Sequence, residues 1–290
     1  MIRRPPRSTQ GVSSAASDVY KRQRLRQTGG PMTRSSVELI RRVEEAKLNA
    51  WPPIQQVLFD GWLLRFSGSY SKRGNAVVPL YPGTQRMLPK IRHCEDAYTR
   101  EGLPTLFQLS DVPELRSLDR ALADSRYKRI DPSLVLTVGR GGFPATSGRQ
   151  FEMLEIDSWL NVYCHLSGMP KTAARLQKLV LKSIPHDAIY GAIKSSAGHV
   201  ACGLAVIDDE FIGLFDILTH PNYRRQGYAR QLILNLLHCG SKKGAHTGYL
   251  QVAKDNKPAL AVYKHIGFQS LYRSWYRIRQ GLGTRSVDSA

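Results

Sequence analysis

The sequence has few cysteines, and they lie far apart. Cys94, Cys164, Cys202 and Cys239 form no C-x-x-C pair, which argues against a disulfide framework and against a zinc site. We expect these thiols to be buried or free in a reducing compartment, so the sequence predicts a cytoplasmic protein. The apolar runs fall short of the ~18 residues that a membrane-spanning helix needs, and no membrane segment is predicted.

The histidines and serines lack the spacing of familiar catalytic motifs. No pair among the eight histidines has H-x-H or H-E-x-x-H spacing, so no metal site is predicted. No serine or cysteine lies in a G-x-S-x-G elbow. The sequence therefore favours a chemistry that needs neither a metal nor a nucleophile on such an elbow.

Acidic residues are scarce beside basic ones. The chain has 42 lysines and arginines against 23 aspartates and glutamates, which gives a formal net charge of +19. Residues 1–33 hold seven of the basic residues and one acid, Asp18, so most of the excess lies in the rest of the chain. A surface of this sign attracts phosphates, acidic substrates or nucleic acid, and charge alone does not choose among them.

Residues 1–23 show no apolar period and no signal-peptide core. They resemble a translated sequencing-adapter peptide, so we expect residues 1–33 to be an artefactual or disordered tail, with Met32 as the true start. The alternative is a basic arm that binds nucleic acid. Residues 282–290 are expected to form a second tail.

The most informative stretch is a predicted strand, loop and helix. Residues 211–219 form an apolar run of strand length that is broken by the sequence His-Pro-Asn. Residues 228–238 show the apolar spacing of one helix face, and Gly240 is predicted to end that helix. Between them lies R-x-x-G-x-A, residues 224–229. Main-chain amides ahead of a helix lack intrahelical partners and carry the positive end of its dipole, so this loop can bind a phosphate.

The wider pattern adds a second strand, then Asn256, Tyr263 and Gly267-Phe268. From residue 211 to 279 the order resembles the GNAT superfamily of acetyl-CoA-dependent N-acetyltransferases, with weaker likeness back to residue 151. The resemblance implies an α/β (α+β) fold with a mixed, mostly antiparallel sheet flanked by helices. It also implies acetyl-CoA as co-substrate, no metal, and a primary amine as acceptor.

The resemblance further implies which residues hold acetyl-CoA. The loop amides would bind the pyrophosphate, and the strand end before the loop would pair with the pantetheine arm. The cofactor-binding residues implied are Ile217, Leu218, Thr219, Arg224, Arg225, Gln226, Gly227, Tyr228, Ala229, Arg230 and Asn256.

Acetyl transfer from a thioester to an amine needs an acid for the leaving thiolate and a base for the amine. The Asn256–Tyr263 spacing resembles the ribosomal-protein alanine acetyltransferase branch, which implies Tyr263 as the acid; the alternative for Tyr263 is a core aromatic. Where that branch has a glutamate base, this chain has Gln251. Asp216 on the apolar strand is the candidate base, and the alternative is a strand-end group satisfied by backbone. Glu155, Glu210 or a water chain are further options.

The chain is predicted to hold two related halves joined by a Gly-rich linker, residues 140–149. Helix and strand patterns follow the same order in both halves, as an internal pseudo-repeat of about 110 residues. Residues 34–139 would form a degenerate GNAT-like domain and residues 150–281 the catalytic GNAT domain. In the first half residues 81–86 replace the R-x-x-G-x-A loop, and Leu122 lies opposite Tyr263.

The first half also contains an Asp60-Gly61 turn, predicted to join two strands of a hairpin. After it comes a polar cluster with two interpretations: it lines an acceptor site, or it is the solvated rim of a hairpin. The cluster consists of Arg65, Tyr70, Lys72 and Arg73.

Two classes of function follow. The first is an acyltransferase that moves acetyl from acetyl-CoA to a protein N-terminus, a lysine or a small amine by direct transfer. The second is a non-catalytic CoA-binding regulatory protein or a nucleic-acid-associated module. Aromatic and basic residues do alternate over residues 272–277, but this is also ordinary strand patterning, so nucleic acid is not favoured as a partner.

Overall fold

A computed structural model describes residues 34–68, 71–139, 143, 150–196 and 198–279 of the 290-residue chain. Both predicted tails, all of the predicted linker except residue 143, and Tyr70 lie outside the described residues. Residues 34–39 form the start of the first helix.

The described residues form seven α-helices and eleven strands. The helices are α1 (Arg34–Ala50), α2 (Met87–Arg100), α3 (Arg116–Asp124), α4 (Ile156–Ser167), α5 (Lys171–Lys182), α6 (Tyr228–Ser241) and α7 (Lys257–Ile266). The strands are β1 (Gln55–Phe59), β2 (Trp62–Phe66), β3 (Val77–Pro79), β4 (Thr105–Ser110), β5 (Lys128–Val138), β6 (Phe151–Met153), β7 (Asp187–Ser195), β8 (Gly198–Asp208), β9 (Phe211–Thr219), β10 (Thr247–Ala253) and β11 (Gln269–Arg279).

All eleven strands belong to one sheet, in the order β1-β2-β3-β4-β11-β5-β10-β9-β8-β7-β6. The β3–β4 and β9–β10 pairs are parallel, and the other neighbours are antiparallel. The expectation of a mixed, mostly antiparallel sheet with helices is therefore confirmed. The Asp60-Gly61 turn joins β1 to β2 with positive φ at both residues, as that dipeptide favours.

At the centre of this sheet, strands of the two predicted halves alternate in the order β4-β11-β5-β10. The last strand, β11, lies between β4 and β5, while β5 pairs with β10. Trp275 of β11 is buried in the same core cluster as Trp62, Phe107 and Tyr127 of the first half. The division into two domains stays a prediction, and the described strands of both halves form one continuous sheet.

Both halves end a helix with the same backbone bond. The amide of Tyr127 donates to the carbonyl of Leu122 at 2.9 Å, and the amide of Phe268 donates to the carbonyl of Tyr263 at 3.0 Å. Because the bonds span the same number of residues and each leads into a central strand, Leu122 in α3 has the place that Tyr263 has in α7. Leu122 is fully buried and apolar, so the first half has no phenol at this point.

Helix α6 packs on the sheet through the apolar face that the sequence predicted. Leu232, Ile233, Leu236 and Leu237 are all buried in the second-half core. The helix continues to Ser241, so the prediction that Gly240 ends it is wrong. Gly240 is instead a packing residue: a Cβ there would lie 2.3 Å from Ile212 Cδ1, too close for any larger side chain.

Candidate active site

The site begins where two parallel strands part. The β9–β10 pairing runs from Phe211 and Thr247 to Leu214 and Leu250 and ends there. Beyond this point β9 contains a bulge, because its residues 216 and 217 both lie opposite the single residue Gly203 of β8. A Cβ on Gly203 would approach Ile217 Cδ1 to 2.5 Å, so the bulge packs closely on the neighbouring strand at this glycine.

The bulge leaves one edge of β9 without a partner strand among the described residues. This edge runs over residues 215–219 and includes Ile217, Leu218 and Thr219, which the sequence assigned to the pantetheine arm. The Thr219 hydroxyl is buried and has no hydrogen-bond partner within the described part of the chain. The Thr219 carbonyl accepts from Arg224 Nε at 3.4 Å. The other main-chain groups of this edge face no neighbouring strand, which suits a ligand that adds to the edge as an extra strand would.

The loop that follows opens into the first turn of α6. His220 Nδ1 accepts from the amide of Asn222 at 3.3 Å, which stabilises a short 3₁₀ turn. Arg225 and Gly227 both have left-handed φ, 63° and 85°, and Gly227 is the N-cap of α6 without a side-chain cap. The first amides of α6, which include those of Tyr228 and Ala229, therefore keep their donors for an external acceptor.

The predicted phosphate-binding residues lie together at this loop. Arg224, Arg225, Gln226, Gly227 and Arg230 are exposed, whereas Tyr228 and Ala229 are half-buried. Left-handed residues at alternating positions turn successive amides toward one side and make a concave anion site. The helix dipole and the three arginines add positive charge, so the loop has the chemistry of a pyrophosphate site.

A cavity of about 200 Å³ lies at the point where β9 and β10 separate. The predicted residues that line it are Asp216, Ile217, Gln251, Asn256 and Tyr263. The first half supplies the facing wall with Lys47, Leu48, Arg65, Arg73 and Gln108. The cavity thus brings both catalytic candidates together, and residues of both halves enclose it.

Asp216 is the only carboxylate among the residues that line this cavity. Its φ of 51° lies in the left-handed region that aspartate and asparagine tolerate best among residues with a side chain. Gln177 Nε2 of α5 donates to Asp216 Oδ2 at 2.9 Å. Burial raises the pKa of Asp216 above its ordinary value, and the nearby Arg73 guanidinium and the Gln177 hydrogen bond oppose that rise.

Tyr263 and Asn256 lie at the other side of the cavity, on α7. Tyr263 is 8% exposed, and its ring meets Phe268 edge to face with 5.7 Å between the centroids. Burial raises the pKa of Tyr263 to about 12, so the phenol keeps its proton at neutral pH. Asn256 caps α7, where its Oδ1 accepts from the amide of Ala259 at 3.2 Å.

The other base candidates lie elsewhere. Glu155 is the N-cap of α4 and does not line the cavity. Glu210 forms an ion pair with Arg42, one of its carboxylate oxygens lies 2.8 Å from His246 Nε2, and it does not line the cavity either. Gln251 lines the cavity but has no basic atom, so Asp216 is the group that can accept a proton there.

The polar cluster of the first half divides between two environments. Arg65 is 1% exposed and donates to the carbonyls of Trp51 and Arg73, so the rim interpretation is wrong for it. Arg73 lines the cavity, as the acceptor-site interpretation expected. Lys72 forms an ion pair with Asp131 at 2.8 Å and does not line the cavity.

Sequence reasoning missed Lys47, Gln108 and Gln177. Lys47 Nζ contacts Glu44 Oε1 at 2.9 Å and Tyr272 Oη at 3.2 Å, in a network that joins α1 to β11. Gln177 is 1% exposed on an amphipathic helix, where glutamine usually faces solvent. Local patterns carry no signal for these contacts, because each depends on a distant element.

No helix in the described ranges is both long enough and apolar enough to cross a membrane. Among the same residues, no cluster of three or more histidine, cysteine or acidic side chains has the arrangement of a metal site. The cavity itself offers a buried carboxylate, Asp216, and a phenol that keeps its proton, Tyr263.

The chain is similar to several known acetyltransferases. Residues 38–277 match the family described as "Probable histone acetyltransferase Rv0428c C-terminal". "Uncharacterized N-acetyltransferase YobR" of Bacillus subtilis strain 168 is 27% identical over 250 residues, covering 83% of this chain and 99% of that protein. The [Ribosomal protein bS18]-alanine N-acetyltransferase of Escherichia coli K12 is 36% identical over 70 residues, which cover 23% of this chain and 47% of that enzyme.

A solved structure shows the same fold. The GCN5-related N-acetyltransferase from Kribbella flavida has a TM-score of 0.63 with 15% identity, and the match covers 87% of this chain and 97% of that one. At this identity the likeness concerns the fold alone.

Proposed function

Because the chain belongs to this family of GNAT-type acetyltransferases, we propose that it moves acetyl from acetyl-CoA directly to a primary amine. The observation that carries the proposal is the separation of β9 from β10 beside an open R-x-x-G-x-A loop. The free edge of β9 leads to the anion site of the loop in one direction and to the cavity in the other. Acetyl-CoA has the matching order of parts: a pyrophosphate, an extended arm with amides, and a thioester.

The binding residues follow that order. The amides of residues 225–229, with the Arg224 and Arg230 side chains, hold the pyrophosphate, while the Arg224 amide donates to the carbonyl of Pro221. Main-chain groups of Ile217, Leu218 and Thr219 pair with the pantetheine arm, and the buried Thr219 hydroxyl gains a partner. Asn256 orients the end of the arm while its carboxamide oxygen caps α7. The acetyl group then lies in the cavity between Asp216 and Tyr263.

Asp216 and Tyr263 handle the two protons of the reaction. The amine nitrogen attacks the thioester carbon, so an N–C bond forms and the C–S bond breaks. Asp216 takes the proton that the amine releases. Burial raises the pKa of Asp216 from its ordinary value toward neutral pH, which makes the carboxylate a better base. Tyr263 donates its phenolic proton to the sulfur that leaves, and solvent later restores that proton.

The first half, residues 34–139, acts as a degenerate GNAT-like domain that supplies the acceptor side of the cavity. The second half, residues 150–281, acts as the catalytic domain. Lys47, Arg65, Arg73 and Gln108 support this division, because they line the same cavity as Asp216 and Tyr263. The acceptor of the acetyl group is a protein N-terminus, a lysine side chain or a small amine.

Calorimetry with acetyl-CoA and free-thiol release over a panel of amines and peptides test the proposal together. With Tyr263→Phe we expect kcat to fall by about 10²–10⁴-fold, the usual contribution of a general acid, while acetyl-CoA affinity stays the same. The matched control is Tyr127→Phe, a buried phenol of the first half that donates to Glu95 at 2.9 Å. It removes a hydrogen bond but no proton donor from the cavity, so kcat is unchanged.

Two outcomes would contradict the proposal. If acetyl-CoA binds but no amine releases thiol, the protein is a CoA-binding regulator instead of an enzyme. If acetyl-CoA does not bind at all, residues 224–229 do not form a pyrophosphate site.

A further inference from the structure

Arg73 holds an unusual position in the cavity wall. Its guanidinium lies over the ring of Trp51, 4.6 Å from the centroid, and 5.2 Å from the centroid of Phe215. These two aromatic contacts come from the first half and from β9, so the side chain is fixed across the cavity between the halves. An arginine held by ring faces keeps its N–H donors available at the edge of the guanidinium.

The other two cations of the wall are used differently. Lys47 is paired with Glu44 and contacts the Tyr272 hydroxyl. Arg65 donates to two main-chain carbonyls. The Arg73 side chain makes no hydrogen bond and no ion pair within the described residues, although it lines the same cavity. Arg73 is therefore the cation whose donors the folded chain leaves for a ligand.

The charge balance of the cavity points to the sign of that ligand. Lys47, Arg65 and Arg73 line it, but Glu44 balances the charge of Lys47, which leaves Arg65 and Arg73 against Asp216, the only carboxylate among the lining residues. Asp216 already accepts a hydrogen bond from Gln177. An acceptor that brings only an ammonium group would add positive charge to a wall rich in cations, which disfavours binding.

We infer that the acceptor is a small amine that also carries a carboxylate, as a free amino acid does, and that Arg73 binds this carboxylate. A guanidinium suits the task because it can donate two parallel hydrogen bonds to the two oxygens of a carboxylate. The amine of the same molecule then lies toward Asp216. The inference rests on the proposed function and narrows its acceptor from three classes to one.

The test compares free amino acids with the corresponding amino acid amides, which keep the amine and lose the negative charge. Thiol release is followed at saturating acetyl-CoA. For the wild type we expect at least one free amino acid to have a KM about tenfold or more below that of its amide, since the site loses a charge-assisted pair with the amide. For Arg73→Gln we expect the KM of the amino acid to rise by about 10–100-fold while that of the amide stays within about twofold.

Two further variants sharpen the test. Lys72→Gln removes the same charge from the neighbouring residue, which does not line the cavity, and leaves both KM values unchanged. Arg73→Lys keeps the charge but loses the planar fork, so it restores part of the affinity. If Arg73→Gln fails to fold by circular dichroism, the wild-type ratio of amino acid to amide still decides.

The outcomes separate this inference from the proposed function. Turnover of peptides or polyamines but of no free amino acid overturns the inference and leaves the acetyltransferase intact. An equal rise in both KM values with Arg73→Gln also overturns it, because Arg73 would then act on the cavity in general. Absence of acetyl-CoA binding in the wild type removes the proposed function itself.

Discussion

The loops that precede α2 and α6 differ in what their main-chain amides bind. In the first half, the carboxylate of Asp60 accepts from the amides of Thr84 and Gln85 at 2.7 and 3.1 Å. It also forms an ion pair with Lys90 Nζ at 3.0 Å. In the second half, the loop before α6 is exposed and surrounded by arginines. The first loop binds an anion of its own chain, and the second leaves the amides of residues 225–229 without a partner among the described residues.

This difference explains why the first loop cannot hold a phosphate. A Cβ on Gly83 would lie 2.0 Å from Asp60 Oδ2, so the loop is closely fitted around that carboxylate. An incoming phosphate would meet both an occupied site and a negative charge. An anion site ahead of a helix can thus be filled by a carboxylate of the chain itself.

The largest effect is expected from removing the carboxylate of the second half. With Asp216→Asn we expect kcat to fall by about 10²–10⁴-fold, because an amide cannot take the proton of the amine. We also expect the free energy of unfolding to rise by about 0.5–2 kcal/mol. A raised pKa means that ionised Asp216 costs stability as the pH rises above 3.8, and the amide does not ionise.

The control is Asp187→Asn, on an exposed residue of β7 that pairs with Lys243 at 2.8 Å. It makes the same chemical change away from the cavity, and we expect kcat to stay the same. The pH–rate profile adds a second check, since the wild-type rate should fall on acidification with an apparent pKa above 3.8. Unchanged activity with Asp216→Asn would mean that the proton leaves through water.

The next prediction concerns a carboxylate introduced into the loop before α6, where the first-half loop already has that of Asp60. Gln226→Glu places a carboxylate on the exposed loop before α6, and we expect acetyl-CoA to bind about 10–100-fold more weakly because like charges repel. Gln85→Glu makes the same change in the first-half loop and leaves acetyl-CoA affinity unaltered. Calorimetry measures both, and an equal effect of the two variants would contradict the assignment of the pyrophosphate site.

The smallest effect is expected from Asp60→Asn. Hydrogen bonds from the loop and Lys90 hold the pKa of Asp60 well below its ordinary value of 3.8. A lowered pKa contributes stability that is present above 3.8 and is lost as the pH falls below it. We therefore expect Asp60→Asn to lower the Tm at neutral pH and to reduce its loss on acidification.

Thermal unfolding between neutral pH and pH values below 3.8 measures this effect. Asp124→Asn, on an exposed residue at the end of α3, is the matched control and should change neither the Tm nor its pH dependence. Acetyl-CoA affinity is expected to be the same in both variants. Weaker binding with Asp60→Asn would mean that the first loop contributes to the site.

Local sequence was sufficient for the parts of the site that are contiguous. The strand, loop and helix from residue 211 to 241 carry their own apolar periods and turn residues, and Asn256 caps the helix that holds Tyr263. The helix end at Gly240 was wrong because close packing on Ile212, and not a left-handed turn, requires glycine there. A glycine alone does not show which of the two applies.

The parts of the site that depend on distant elements could not be predicted. The hydrogen bond from Gln177 to Asp216 joins residues 39 positions apart, and Lys47 meets Tyr272 across 225 positions. The direction of Arg73 depends on Trp51 and Phe215, which lie on different elements. The position of β11 between β4 and β5 could not be predicted either, since a strand has the same residue pattern whichever neighbour it pairs with.

Strand β11, which lies between β4 and β5, also determines when the protein can finish folding. Residues 269–279 are translated after both strands that they separate, so the ribosome releases β4 and β5 long before β11 exists. Until then a nascent chain has an open β4 edge and a first-half core without Trp275. Pairings between residues so far apart form slowly, and open strand edges invite contacts with other chains. The first half is therefore completed last, although it is synthesised first.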